Sequence, residues 1–143
     1  MAADPLGERL AELGRTLGDR EAQLRESLEV ARARAESLHA SVASALERFH
    51  AAASKAGAPH LRVELAAPRI DDKHVRAVEF DLRRGRHTAI VTVKSRGEVT
   101  LVGPFRAGKT EGPCRSFPIG AEQEIRAALG DFLSRFLEEA TAP

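Results

Sequence analysis

From His74 to Phe105 the chain reads HVRAVEFDLRRGRHTAIVTVKSRGEVTLVGPF, three apolar–polar alternations separated by two Arg-Gly pairs. A period of two marks strands with one buried face, and connections this short leave no room for a crossover helix. The stretch therefore predicts a three-stranded antiparallel meander. A two-residue turn at Arg84-Gly85 pairs Leu82 with His87, Phe80 with Ala89 and Val78 with Val91. A three-residue turn at Ser95-Arg96-Gly97, with Gly97 left-handed, pairs Val93 with Val99 and Val91 with Leu101. Val78, Phe80, Leu82, Ala89, Val91, Val93, Val99 and Leu101 then share one face. The other face receives Glu79, Asp81, Thr88, Thr92 and Thr100, with Ala77, Ile90 and Val102 as its apolar members, and is expected to be mostly wet.

The flanks supply cover for this sheet. Leu61, Val63 and Leu65 alternate with Arg62 and Glu64 and predict a further strand, with Leu65 opposite Val78 and Arg62 opposite Asp81. The sheet is thus expected to have four strands. Gly108 to Gly120 (GKTEGPCRSFPIG) reads as loop, broken by Gly112-Pro113 and Pro118. Ile125, Leu129, Phe132 and Phe136 then mark one face of a second helix. The predicted class is α+β in a single domain over residues 1–143: a helical arm over 1–56, an antiparallel sheet over 61–105, a loop over 106–120, and an amphipathic helix over 121–140 packed on one sheet face.

The arm is the unusual part. Leu6, Leu10, Leu13 and Leu17 recur at helical spacing, and the series resumes at Leu24, Leu28, Ala31, Ala35, Leu38, Val42, Ala45 and Phe49. Counted in heptads, the two series are offset at Gly18-Asp19, where Gly could end one helix and Asp cap the next. A break is therefore expected there. Even from Asp19 to Ala56 the helix spans about 57 Å. A globule of this size is only about 40 Å across. The mismatch predicts self-association, with Leu24, Leu28, Ala31 and Ala35 as the contact and a homodimer as the product.

Composition narrows the function classes. The 143 residues carry a formal charge of +1, which argues against a dominant nucleic-acid or membrane field. One cysteine, Cys114, excludes an internal disulfide and suits a reducing compartment. With no signal peptide and no long apolar run, the chain is expected to be cytoplasmic, without membrane contact. Gly103 to Thr110 satisfies G-x-x-x-x-G-K-[ST] letter for letter. A phosphate loop must open into a helix whose N-terminus completes the anion site. Here Glu111-Gly112-Pro113 follows, and the preceding strand belongs to an antiparallel meander, so neither nucleotide nor any other cofactor is expected. The five histidines show no metal-ligand spacing, and Cys114 has no sequence-local base. No catalytic, cofactor-binding or metal-ligating residue emerges, and the chain is not expected to be an enzyme.

Basic residues remain. Arg83, Arg84 and Arg86 crowd the first turn, Arg96 the second, and Arg106, Lys109 and Arg115 are expected at the end opposite the first turn. The leading expectation is a non-enzymatic, self-associating protein–protein interaction module. The alternative is a nucleic-acid or anion-binding protein that uses these residues and the Gly-rich loop 103–110.

Overall fold

A computed structural model of the chain describes residues 4–71, 76–106, 108 and 112–142. Helix α1 (Pro5–Lys55) opens the chain. Six strands follow among the described residues: β1 (Glu64–Leu65), β2 (Arg69–Asp71), β3 (Ala77–Arg84), β4 (His87–Lys94), β5 (Glu98–Arg106) and β6 (Cys114–Pro118). Helix α2 (Glu122–Ala140) closes it. The strands make one antiparallel sheet in the order β1-β3-β4-β5-β6, with β2 also paired to β3. The class is α+β, as expected.

The meander has the expected faces with one register corrected. Arg84 pairs with His87, so Leu82 meets Ala89, Phe80 meets Val91 and Val78 meets Val93. The turn is Gly85-Arg86 rather than Arg84-Gly85. Gly85 takes the positive φ (+57°) that the first position of such a turn requires, which an arginine takes only with strain. Moving partners by two residues leaves side-chain parity intact, and all eight predicted inward residues are buried. The second turn is as expected: Lys94 pairs with Glu98, Val93 with Val99, and Gly97 has φ +96°.

The edges differ more. Leu65 pairs with Leu82, not Val78, and Ile70 takes the place opposite Val78, so two short strands divided at Pro68 share the edge of β3. Arg62 precedes β1 and has no strand partner there. Part of the expected loop 106–120 is strand β6, which puts Phe117 opposite Val99 in the core. Proline at the end of an edge strand removes no needed ladder bond, so Pro118 does not break it.

Both helices lie on the inward face. Ala31, Ala35, Leu38, Val42 and Leu46 of α1 join Ile125, Ala128, Leu129, Phe132 and Phe136 of α2 in one core with the inward sheet residues. The stripe of α1 passes through Leu46 rather than the exposed Ala45. Phe80, fully buried, meets the His39 ring edge-on at 5.1 Å, and His39 Nε2 reaches the Ala66 carbonyl at 3.1 Å. The helices run in the same direction: Arg34 approaches Glu122 at the start of α2, and Arg84 joins the end of α2 to the segment after α1.

No break interrupts α1. Asp4 caps it by accepting the Gly7 N–H at 3.1 Å, Pro5 fills the first position, and 51 residues continue without interruption to Lys55. The expected break at Gly18-Asp19 came from counting in sevens. A straight helix has 3.6 residues per turn, so about 18 residues make five turns. Leu6, Leu10, Leu13 and Leu17 therefore lie directly in line with Leu24, Leu28, Ala31 and Ala35. Two exposed glycines cost the helix only about 1 kcal/mol each.

The one-sided sheet gives a direct test. Phe80→Ala is expected to lower unfolding free energy by about 3–5 kcal/mol, the range for large core truncations, and Thr92→Ala on the open face by far less. Denaturant titration of the two variants measures both, and equal losses would refute the assignment of faces.

Candidate interaction surfaces

The arginines divide by what they already hold. Arg84 donates to three carbonyls: Ala140 at 3.3 Å, His60 at 3.0 Å and Arg62 at 2.9 Å. It ties the end of α2 and the α1–β1 connection to the first turn. Arg83 bonds Asp81 at 2.6 Å, and Arg96 pairs with Glu98 at 3.0 Å. The Arg115 guanidinium lies 5.1 Å from the Phe117 ring centre. Arg86 and Arg106 have no ion-pair partner among the described residues. Lys109 lies outside those residues.

The expected placement of Arg106 at the end opposite the first turn is wrong. In a three-stranded meander the last strand returns to the end where the first one finished, and Arg106 pairs across the sheet with His87. Arg115, opposite Leu101, sits mid-strand. Arg84, Arg86, His87 and Arg106 instead surround a hollow of about 480 Å³ that Ala140 also lines. That hollow adjoins the C-terminus of α2, where the helix dipole is negative and works against an anion.

The phosphate-loop pattern has a structural origin. Gly103 lies within β5, buried, at φ +114°, beside the register shift between Thr88 and Ile90. A Cβ there would stand 2.9 Å from the Thr88 carbonyl oxygen and 3.1 Å from the Ala89 Cα. Glycine is needed for close strand approach, not for a phosphate. Gly112 and Pro113 lead into strand β6 where a phosphate loop needs a helix.

The open sheet face is wet but not uniformly. Asp81, with a side chain only 3% exposed, sits there between Arg69 and Arg83, bonded at 2.9 and 2.6 Å. Burial alone would raise its carboxyl, but the hydrogen bonds and charges of the two guanidiniums outweigh it and hold the pKa below the ordinary value. His50 is lowered by burial and by Arg62, and its Nε2 accepts the Val63 N–H at 3.0 Å. Among the described residues no His, Cys, Asp and Glu cluster could hold a metal ion, and no helix is long and apolar enough to cross a membrane.

The largest exposed apolar feature is on α1. Leu6, Leu10, Leu13 and Leu17 are 68, 57, 50 and 45% exposed. They belong to the sheet-facing stripe but lie beyond the sheet, whose end is marked by the Arg76–Glu21 ion pair at 3.0 Å. The free part of the helix, Pro5 to Arg20, is about 24 Å long. Of the residues expected to mediate association, Ala31 and Ala35 are fully buried in the chain's own core, while Leu24 and Leu28 are half-buried at the junction. Ala31 and Ala35 are therefore committed within the chain, and the part of the stripe that the core leaves open runs from Leu6 to Leu28. The spacing placed Ala31 and Ala35 on the helix face that the sheet covers, and nothing in the spacing showed that Leu6 to Leu17 of the same face lie beyond it.

Comparison of the chain with protein-family models, with curated proteins and with solved structures returned no match.

Two outcomes are expected. Gly103→Ala lowers stability by about 1–3 kcal/mol, equally with and without ATP, because the lost feature is backbone geometry. A stabilising effect of ATP in thermal melts would contradict this. Stability also falls with acid in two steps. His50, depressed in the folded state, contributes stability that is lost below its ordinary pKa of about 6.5. Asp81, also depressed, contributes stability present above about 4 and lost as pH falls toward its folded value. Asp81→Asn should flatten the lower step in a pH series of denaturant titrations, and an unchanged lower step would refute the assignment.

Proposed function

We propose that this chain is a non-enzymatic, self-associating protein–protein interaction module of the cytoplasm, paired as a homodimer through the free part of α1. The observation that carries this is the row of four leucines, each about half exposed or more, on a helix held rigid by its own core. Each leaves roughly 1–1.5 kcal/mol of burial unrealised, and water gains nothing from a stripe kept in helical order.

The steric frame favours an antiparallel pair. The free leucines and the core share one helix face, so two chains packed in parallel would drive both sheets into the same space. Run antiparallel, each arm fills the room beyond the other's sheet. Leu6 of one chain then meets Leu17 of the other, and Leu10 meets Leu13, in a short coiled coil with two-fold symmetry. Gly14 flanks the stripe on one side, with nothing within 4 Å of where a Cβ would stand, and permits close approach. A cytoplasmic setting suits the single exposed cysteine. The alternative reading, nucleic-acid or anion binding at the Arg-rich end, rests on Arg86 and Arg106 beside a helix C-terminus, which is weaker support.

Sedimentation at tens of micromolar is expected to give a dimer. Leu10→Glu with Leu13→Glu, at exposed positions outside the core, is expected to give a folded monomer with unchanged core melting. A monomeric unsubstituted protein would overturn the proposal.

A further inference from the structure

The helix layer has a second opening, independent of the leucine arm. Between α1 and α2 runs a groove of about 840 Å³ on the side away from the sheet. Its floor is apolar, from Leu38, Leu129 and Leu133. Its walls carry three guanidiniums, Arg34 and Arg48 on α1 and Arg126 on α2, and no carboxylate among the described lining residues. Ser37, Ser41 and Ser44 on one side and Gly130 on the other keep the walls low.

These arginines are poorly satisfied. Arg48 and Arg126 have no ion-pair partner among the described residues. Arg34 reaches only Glu122, at 3.7 Å, and its Nε and Nη2 are shut off from solvent without a hydrogen-bond partner. A buried donor left unpaired is costly, and Arg34 carries two of them beside the exposed guanidiniums of Arg48 and Arg126 on an apolar floor.

We infer that this groove binds an acidic amphipathic helix of a partner protein. The dimensions fit: Arg34 to Arg48 spans about 21 Å along α1, close to four helical turns, and two parallel helix walls accept the ridge of a third. The chemistry fits too, with leucine-type side chains on the floor and carboxylates along both flanks meeting the guanidiniums in charge-assisted pairs. The free arm of a second copy is a worse occupant. Its leucine stripe is flanked by Arg9 and Arg20, which would face Arg34, Arg48 and Arg126. Nucleic acid is worse as well, because the floor lacks the aromatic platforms on which bases stack and three arginines on two walls do not track a backbone.

The test uses the full chain and a synthetic helical peptide of about four turns, leucines on one face and glutamates flanking, followed by fluorescence anisotropy. Saturable binding is expected, weakening as salt rises from about 0.05 to 0.3 M. Arg48→Glu with Arg126→Glu should weaken it on the order of tenfold. Ser41→Trp should abolish it by filling the groove. All three positions are exposed, and unchanged melting checks that the fold is intact. Binding should persist in the Leu10→Glu, Leu13→Glu protein, which separates this site from self-association. No binding, equal binding of a lysine-flanked peptide, or binding unaffected by Ser41→Trp would overturn the inference. So would a short DNA duplex binding through Arg48 and Arg126 where the peptide does not.

Discussion

The structure depends on one apolar sheet face being covered by two helices. Val78, Phe80, Leu82, Val91, Val93, Val99 and Leu101 present that face, and the buried residues of both helices pack into the same core with them. With six Phe and no Trp or Tyr in the chain, the core is built mainly of aliphatic side chains, whose stabilisation scales with area removed from water. That makes the fit of α1 along β3 and β4 and of α2 along β5 the main source of stability. The polar features reinforce it. Arg84 holds the end of α2, the segment after α1 and the first turn together through three carbonyls.

What the sequence made legible follows from periodicity. The period of two in the meander assigned every inward residue, and the assignment survived a register error because an even shift preserves parity. The long spaced series in α1 and α2 placed both helices. What it left hidden had weak periodic signal. Strand β1 was expected, though at another register, but β2 offers only three residues, and β6 puts one phenylalanine inward among five residues bounded by proline and glycine. The continuity of α1 was hidden for another reason: a heptad count imposes a period of 3.5 on a helix of 3.6 residues per turn.

Candidate surfaces were legible only in part. Exposed leucines look like core leucines in a sequence, because nothing local says where the sheet ends. Arg84 and Arg86, two positions apart at one turn, have opposite fates, one committed to three carbonyls and the other without an ion-pair partner among the described residues. The groove between α1 and α2 draws on residues some 80 to 90 positions apart and is a product of helices laid side by side with serines and glycine facing each other. The glycine of the phosphate-loop pattern was visible, but the carbonyl it makes room for belongs to Thr88, a strand away.

The unbroken run of α1 has a kinetic consequence. The costly nucleation of helix is met where Ala31 to Leu46 lie on the sheet, and outside it the backbone only propagates, one hydrogen bond at a time. Opening of the free segment therefore begins at Asp4 and moves inward as a front that the Arg76–Glu21 pair and Leu24 arrest. In an unpaired chain, amide protons from Leu6 to Gln23 should show protection that rises toward the sheet, with Gly14 and Gly18 as points of faster opening, while the rest of the same helix exchanges only with the core.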